Sequence, residues 1–223
     1  MDVYKKSRIK SIICWIIAFA LAIFYLLVSF LPFIFMVLNS FKEKFEMLTK
    51  GVFELPESFN FANYQEVLTG GFGRYFLNSV IVLAVSLILL LFIASCASYP
   101  LARFQFKLAG PIYAGIVACM SIPVHITLIP VFKMSQATGL YDSIWALIGP
   151  YVAFAVPISV FILTSFMKEI PREIEESAEI DGCGKIKMFF SMILPLSKPG
   201  LATLAIYNGV NMWNEFSFAY TLT

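Results

Sequence analysis

Residues 75–102 read YFLNSVIVLAVSLILLLFIASCASYPLA, a stretch of 28 residues without a single Asp, Glu, Lys or Arg. About 20 apolar residues in a helix cross the roughly 30 Å hydrocarbon core of a bilayer. The whole chain of 223 residues is 60% hydrophobic and only 13% charged, whereas soluble domains carry about 25% charged residues. Four further charge-free runs occupy residues 11–41, 108–132, 143–167 and 199–214. The sequence therefore excludes a soluble domain or a nucleic-acid binder and predicts an all-α protein that crosses a membrane several times.

The four cysteines give no sign of a disulfide framework or a metal site. Cys14, Cys96 and Cys119 fall in the apolar runs, and Cys183 falls in a polar segment between two of them. No Cys/His group has the spacing of metal ligands. A disulfide-stapled secreted module is thereby excluded, no metal-binding residue is predicted, and all four cysteines are interpreted as structural.

The apolar runs set the predicted organisation of the chain. Five membrane helices are predicted at 12–38, 77–101, 108–131, 143–167 and 199–222, with 1–11 as the N-terminus, 39–76 and 168–198 as long connecting segments, and 77–223 as the core. The first run is longer than the 7–15 residues of a signal-peptide core, so it is interpreted as an uncleaved span. With the N-terminus in the cytoplasm, the inner segments carry eleven Lys and Arg and the outer ones five, as the positive-inside rule requires. Residues 39–76 are thus predicted to be extracytoplasmic, with Asn60 capping a short helix at 61–69.

Prolines and small residues in the spans are typical of a packed bundle. Proline frees backbone groups of a membrane helix and usually marks a bend. Small residues four positions apart let two helices approach closely. The prolines are Pro32, Pro100, Pro123, Pro130, Pro150 and Pro157, and the small pairs are Ala94 with Ser98 and Ala205 with Gly209.

The cytoplasmic segment 168–198 holds eleven of the thirty charged residues of the chain. Pro171 is favourable in the first turn of a helix. The glutamates at 173, 175 and 176 would interact favourably with the positive N-terminal end of the helix dipole. Gly182 suits its end. Residues four apart form a narrow apolar stripe on this helix, and they are Ile170, Ile174 and Ala178.

A second short helix is predicted at 185–193 and is expected to end at Pro195. One face of the resulting helix–turn–helix is expected to rest on the membrane bundle. The other face either docks a cytoplasmic partner or forms an amphipathic loop at the membrane surface. The physical pattern alone favours neither alternative.

The amino-acid sequence of this loop closely resembles the "EAA" motif of ATP-binding-cassette (ABC) importer permeases. In that motif Glu-Ala-Ala is followed three residues later by Gly, and further on by Ile-x-Leu-Pro. Here the motif reads Glu176-Ser177-Ala178, then Asp181-Gly182, then Ile193-Leu194-Pro195, with Ser177 in place of the middle Ala. Landmarks similar to those of the maltose/multiple-sugar branch run along the whole chain: Asn63-Tyr64, Asn78-Ser79, Tyr99-Pro100-Leu101-Ala102-Arg103-Phe104, Ile129-Pro130, Gly139-Leu140, Ile170-Pro171 and Trp213-Asn214-Glu215-Phe216.

The resemblance implies a type I ABC importer permease in a bacterial inner membrane, importing a sugar and more specifically an oligosaccharide. A glycerophosphodiester or a polyol is the alternative solute. The implied partners are a second homologous permease, a dimer of cytoplasmic subunits that hold ATP and Mg²⁺, an extracytoplasmic solute-binding protein and membrane lipid. The residues implied in coupling to the ATPase are Glu176, Ser177, Ala178, Asp181 and Gly182. This branch usually has six helices, so a sixth helix and a C-terminal tail are expected to be missing from this sequence.

The chain itself is expected to bind no cofactor and to catalyse no reaction. Gly182-Cys183-Gly184-Lys185 is superficially similar to a phosphate-binding loop, but Glu179 and Ile186 stand where the pattern needs Gly and Ser or Thr. An ion-coupled secondary transporter is the alternative from a different class. It would usually place several ionisable residues within the membrane, and this sequence offers His125 and Glu215. His125 is interpreted as a hydrogen-bonded packing residue, and a lone His makes a membrane-embedded hydrolase a poor fit.

The fifth predicted span carries the candidate translocation-path residues, which are Asn208, Asn211, Trp213, Asn214 and Glu215. Asn208, Asn211 and Glu215 fall on one face of a helix. Amides can hydrogen-bond sugar hydroxyls and Trp213 can stack on a sugar face, and a charge within the membrane should face a cavity or a partner. The alternative is that these residues are polar contacts between helices, including those of a second permease. Both interpretations stay open.

Overall fold

A computed structural model describes residues 2–51 and 53–223, and the side chains among them from Lys10 onward. Within these residues there are helices and no β-strand, which confirms the all-α prediction. The α-helices are α1 (Asp2–Ser40), α2 (Lys44–Thr49), α3 (Ala62–Thr69), α4 (Phe72–Arg103), α5 (Ala109–Ala118), α6 (Leu128–Ala137), α7 (Ile148–Glu169), α8 (Glu173–Ile180), α9 (Lys185–Met188), α10 (Leu194–Leu196), α11 (Lys198–Trp213) and α12 (Ser217–Leu222). Short 3-10 turns lie at Cys119–Ser121, Val124–Thr127 and Ile144–Leu147, and a π turn lies at Phe189–Ile193.

Three stretches are long and apolar enough to cross a membrane as single helices. They are Lys10–Ser40 within α1, Phe72–Arg103, which is α4, and Ile144–Glu169, which ends with α7. These helices contain the predicted spans 12–38, 77–101 and all but the first residue of 143–167. Pro32, Pro100 and Pro157 lie inside helices that continue through them. Two bent helix pairs raise the number of spans to as many as five if each pair counts as one. The second pair, Lys185–Leu196 with Lys198–Trp213, begins inside the predicted cytoplasmic loop, so it matches the predicted fifth span only in part.

The third predicted span, 108–131, is not one helix. A first arm ends at Ser121, a second arm starts at Val124, and the two meet at 88°. Pro123 explains the break, because the residue before a proline is driven out of the helical region, and Ile122 is extended with φ −78° and ψ 116°. The prediction of a continuous helix was wrong, whereas the bend at this proline is confirmed.

The fifth predicted span, 199–222, is also interrupted. Helix α11 ends at Trp213, and α12 begins four residues later. Glu215 lies in the gap, where its carboxylate accepts hydrogen bonds from the backbone N–H groups of Phe218 at 2.9 Å and Ala219 at 3.3 Å. A carboxylate in front of a helix satisfies its free N–H groups and complements its dipole. Glu215 therefore starts a new helix instead of extending α11.

Pro195 does not end the second loop helix, contrary to the prediction. The chain stays helical from Lys185 to Leu196 and then bends by 68° before α11. Proline lacks an N–H, and its ring clashes with the carbonyl four residues earlier in a regular helix. The wider π turn just before Pro195 accommodates this clash without ending the helix.

The chain divides into two compact units. In the first, residues 1–74, helix α3 starts one residue later than predicted, with Phe61 and not Asn60 as its N-cap. The Asn60 side chain still accepts a hydrogen bond of 2.8 Å from the first backbone N–H of the helix, that of Ala62. The Asn63 amide then donates to the backbone carbonyls of Ser40 and Lys42 at 3.0 and 2.9 Å. Helix α3 is thereby tied to the end of α1.

The second unit, residues 75–223, is built around two apolar clusters. One joins α4, α7 and α11 with the loop helices α8 and α9, and the other joins the same three helices with α12. Ala94 and Ser98 are both fully buried, and the Ser98 hydroxyl donates to a backbone carbonyl of α7 at 3.4 Å. Gly200, at the start of α11, approaches α7 so closely that a Cβ there would lie 2.8 Å from the ring of Phe166.

Candidate functional site

Helix α8 is defined at both ends by its sequence. Its first turn carries Glu173, Glu175 and Glu176. At the other end Gly182 has φ 77°, and the N–H groups of Gly182 and Cys183 bond to the carbonyls of Glu179 at 3.0 Å and Ala178 at 2.9 Å. This Schellman motif satisfies the last carbonyls and needs a residue that tolerates positive φ. The predicted helix end is confirmed, whereas Pro171 lies before the first turn and not within it.

The two sides of α8 differ sharply in exposure. The predicted stripe is turned towards the apolar cluster of the second unit, where Ala178 is 2% exposed and Ile170 packs beside it. On the opposite side Ile180 is 86% exposed. Four of the five predicted coupling residues are also exposed, namely Glu176, Ser177, Asp181 and Gly182. Ala178, the fifth, packs within this chain, and Ile180 is an exposed apolar residue that sequence reasoning missed.

The last two turns of α4 contact the chain on both flanks of α8, that is, around its first turn and just after its end. The Arg103 side chain is 2% exposed, its Nη2 donates to the carbonyl of Ile170 at 2.8 Å, and its Nε forms an ion pair with Glu175, which is 12% exposed. One turn earlier, the Tyr99 hydroxyl donates to the carbonyl of Lys185 at 3.3 Å. Sequence reasoning quoted Tyr99 and Arg103 as landmarks only. The available signal was that Arg103 is the first cation after a long charge-free run and follows an aromatic residue by one turn.

Lys185 also joins α8 to α9 on the exposed side. Its ammonium forms an ion pair with Glu179 and lies 6.0 Å from the centre of the Phe104 ring. The hydrogen bond to Glu179 raises the pKa of Lys185 above its ordinary value. Because both partners are about half exposed, solvent screens this pair and it contributes little to stability.

A cavity of about 290 Å³ lies between α7, α11 and α12. This volume is close to the lower end of the range for small-molecule sites. Its lining includes the polar side chains of Tyr151, Tyr207, Asn208, Asn211 and Glu215, set among apolar side chains that come mostly from α7. Three of the five predicted path residues therefore meet at one cavity.

The remaining path residues take other positions. Trp213 contacts Phe76 with ring centres 5.7 Å apart, and the Asn214 amide donates to the carbonyl of Val210 at 2.8 Å. Neither residue lines the cavity. Trp213 and Asn214 were not part of the predicted stripe. The three residues of that stripe all line the cavity, although α11 ends before Glu215.

Among the cavity residues, Asn208 is a contact between helices. It is 3% exposed, and its amide donates to the Ser159 hydroxyl at 3.1 Å and to the carbonyl of Leu204 at 3.0 Å. Asn211 is exposed, and its amide donates to the carbonyl of Tyr207 in its own helix at 2.9 Å. The two amides thus line the same cavity, but Asn208 is engaged by the neighbouring helix and Asn211 is exposed.

Glu215 connects the cavity wall to α12. Its carboxylate accepts a hydrogen bond of 3.1 Å from the Tyr151 hydroxyl of α7 while also capping α12. Glu215, which was expected to face a cavity or a partner, does line a cavity. Its carboxylate already accepts three hydrogen bonds from groups of this chain.

His125 lies in the 3-10 turn after the break at Pro123. It is exposed, and within the described residues its side chain makes no hydrogen bond. The interpretation as a hydrogen-bonded packing residue was wrong.

Comparison with known proteins places this fold and these motifs in one family. A family model described as "Binding-protein-dependent transport system inner membrane component" matches residues 90–223. The chain is 46% identical over 197 residues to a putative ABC transporter permease protein, ORF2, of Caldicellulosiruptor sp. strain Rt8B.4, covering 88% of this chain and 72% of that protein. It is 38% identical over 201 residues to the diacetylchitobiose uptake system permease protein NgcG of Streptomyces coelicolor, covering 90% and 66%. It is 33% identical over 217 residues to the melibiose/raffinose/stachyose import permease protein MelC of Bacillus subtilis, covering 96% and 75%.

A solved structure has the same fold. A chain of a bacterial ABC transporter involved in the import of the acidic polysaccharide alginate superposes with a TM-score of 0.82 at 21% identity, covering 94% of this chain and 74% of that one. The chain thus spans 66% to 75% of the length of the relatives named here. With the apolar helices and the loop motif, these similarities show that the chain belongs to the binding-protein-dependent transport system inner membrane components, the ABC importer permeases.

Proposed function

We propose that this chain is the permease subunit of an ATP-driven importer that carries a sugar, and among sugars an oligosaccharide, into a bacterial cell. Two relatives are named for diacetylchitobiose and for melibiose, raffinose and stachyose, which supports a solute of this class. The N-terminus lies in the cytoplasm on the charge distribution of the loops. The chain works with a second homologous permease, two ATP-binding subunits that hold ATP and Mg²⁺, and an extracytoplasmic solute-binding protein.

The observation that carries this proposal is the two-sided character of α8. Ala178 anchors the helix in the apolar cluster, while Ile180 leaves a large apolar side chain in water beside Glu176 and Asp181. A single exposed apolar side chain is ordinary on a protein surface, so the weight rests on its place beside the exposed motif residues Glu176, Ser177 and Asp181. The loop helix therefore docks on an ATP-binding subunit. The alternative, an amphipathic helix on the membrane surface, does not explain why charged residues and Ile180 share the exposed side of α8.

The transport cycle is one of alternating access. The binding protein delivers solute from outside, ATP binding in the partner subunits opens the pathway outward, and hydrolysis resets it inward. Movement of the ATP-binding subunits reaches the membrane helices through α8. The solute passes the cavity of the second unit, where Asn211 and Glu215 offer polar groups to sugar hydroxyls.

Affinity purification of the tagged, full-length chain from its own host in mild detergent tests the docking proposal. Unsubstituted protein is expected to recover an ATP-binding subunit and a second permease. Ile180→Ser is expected to lose the ATP-binding subunit but keep the permease. Ile186→Ser is the matched control, since Ile186 is 76% exposed in the neighbouring helix α9.

If Ile180→Ser recovers the ATP-binding subunit in full, α8 is not the docking helix. If the unsubstituted chain purifies alone, the ion-coupled alternative replaces the ATP-driven one.

Uptake of a panel of radiolabelled di- and trisaccharides, with glycerol as the polyol probe and glycerophosphocholine as the glycerophosphodiester probe, tests the pathway. Asn211→Leu combined with Glu215→Gln is expected to lower sugar uptake about tenfold, the equivalent of roughly one hydrogen bond. Asn214→Leu, outside the cavity, is the control. Unchanged rate and selectivity in the double variant would contradict the pathway, and uptake of only glycerol or glycerophosphocholine would replace the sugar assignment.

A further inference from the structure

We infer that Tyr99 and Arg103, in the last two turns of α4, hold the loop helix α8 at both of its flanks and make α4 move together with it. This inference rests on the proposed function, because α8 is displaced only when an ATP-binding subunit docks on it. The two side chains touch the loop and neither solute nor nucleotide, so they are positioning residues.

Arg103 holds the flank before α8. Its side chain is buried, and it engages two groups of the loop at once, the carbonyl of Ile170 and the carboxylate of Glu175. Ile170 is the C-cap of α7, and Glu175 lies in the first turn of α8. Removing either charge leaves the other buried without its partner. This contact therefore specifies the position of the start of α8 relative to α4.

Tyr99 holds the flank after α8. Its hydroxyl donates to the carbonyl of Lys185 in the first turn of α9. Its ring contacts Phe189 with ring centres 4.9 Å apart and Phe104 at 5.1 Å. The tyrosine thus binds the second loop helix by a polar and an aromatic contact together.

The arrangement decides which membrane helix follows α8. Tyr99 and Arg103 are four residues apart and so lie on one face of α4. Their partners lie before α8 (Ile170), in its first turn (Glu175) and after it (Lys185). A helix held at two points cannot pivot about either one. Helix α11, in contrast, is separated from the loop helices by a π turn and a bend of 68°. Displacement of α8 consequently passes to α4 through these two side chains, besides passing to α7, to which α8 is joined through Ile170.

Distances between two spin labels on this chain test the inference in the assembled transporter, purified through a tag on this chain. One label is on native Cys96, which is exposed on α4, and the other on Glu173→Cys, which is exposed in the first turn of α8 and is not a coupling residue. The other three cysteines are replaced by Ala. Electron–electron resonance distances are compared without nucleotide and with ATP plus vanadate. The distance is expected to stay constant within about 2 Å, the size of a small helix shift. In Arg103→Gln, Glu175→Gln and Tyr99→Phe it is expected to change by more than that or to split into two populations.

Arg172→Gln, an exposed basic residue of the same loop, is the matched control and is expected to behave like the unsubstituted chain. A merely structural role would lower the melting temperature of the three variants without changing the nucleotide response, and this outcome overturns the inference. A large ATP-dependent change in the unsubstituted chain also overturns it. If Arg103→Gln does not assemble, Glu175→Gln and Tyr99→Phe decide. Failure of any ATP-binding subunit to co-purify with the unsubstituted chain refutes the proposed function instead, and the inference falls with it.

Discussion

The side-chain amide of Asn208 donates a hydrogen bond of 3.1 Å to the hydroxyl of Ser159 and joins α11 to α7 where both side chains are buried. The same amide also donates to the carbonyl of Leu204 one turn earlier. Polar pairs of this kind hold helices together in an apolar surrounding, where packing of apolar groups alone gives little preference for one neighbour over another. Asn208 is therefore a structural residue at the edge of the cavity.

We predict that Asn208→Ala and Ser159→Ala each lower the free energy of unfolding by about 1 kcal/mol. The double variant is expected to lose less than the sum, because both substitutions break the same bond. Denaturant titration of the purified chain in detergent measures these values. Asn211→Ala, on the exposed side of α11, is the control and should change little. Strictly additive losses would contradict a direct bond.

Gly200 and Gly209 form a second matched pair on α11. A Cβ at Gly200 would meet the Phe166 ring at 2.8 Å, whereas a Cβ at Gly209 would lie 3.6 Å from Leu87, an ordinary contact. Gly200→Ala is thus expected to destabilise by about 1–3 kcal/mol through overpacking. Gly209→Ala is expected to be neutral or stabilising by up to about 1 kcal/mol through helix propensity. Thermal unfolding of both variants checks the difference, and equal melting temperatures would rule out the close approach.

Gly182 is needed for its backbone conformation, since its φ is 77° and a Cβ there would meet nothing within 4 Å. Gly182→Leu is expected to lose the ATP-binding subunit on purification while the bundle keeps its melting temperature, because a branched side chain in the left-handed region costs about 1–2 kcal/mol and reshapes the end of α8. Gly182→Asn is expected to retain the subunit, since Asn tolerates this conformation. Loss in both variants would mean that free space around the residue matters more than its φ.

Glu215 is expected to organise α12 and not merely to line the cavity. Glu215→Ala removes the cap and should destabilise by about 1–2 kcal/mol. Tyr151→Phe removes only the hydroxyl that bonds the carboxylate and should cost about 1 kcal/mol. Added to Glu215→Ala, the Tyr151→Phe change should cost almost nothing further. Chemical denaturation of the three variants measures these free energies of unfolding. If Tyr151→Phe costs as much in the Glu215→Ala background as alone, the Tyr151 hydroxyl does not act through Glu215.

The sequence predicts the membrane helices well where one helix runs straight through. Charge-free length suffices to find α1, α4 and α7, because burial of backbone groups in lipid leaves few alternatives to a helix. The same criterion fails at Pro123, where both arms are apolar and the run continues across the bend. Pro32, Pro100 and Pro157 look alike in sequence but lie within continuous helices. Whether neighbouring groups satisfy the freed carbonyls decides the outcome, and that is a property of the packed bundle.

The candidate site also has parts that the sequence predicts and parts that depend on the packed structure. The ends of α8 follow from local rules, since Gly182 and the acidic first turn act within a few residues. The contact between Arg103 and Glu175 joins two distant parts of the sequence, and no spacing rule connects them. Glu215 was placed correctly near Asn211, but its capping of α12 depends on a helix break that apolar periodicity does not reveal.

The π turn at Phe189–Ile193 determines which side of α11 faces α7. Such a turn is equivalent to one surplus residue in a helix, and each residue of an α-helix turns the chain by about 100°. Deleting one residue here would restore regular pitch at the loop but rotate the start of α11 by that angle. Gly200 would then face away from Phe166, and Asn208 away from Ser159. Length is therefore as constrained as residue identity in this segment, and insertions or deletions should be far less tolerated there than substitutions at Ser191 or Met192.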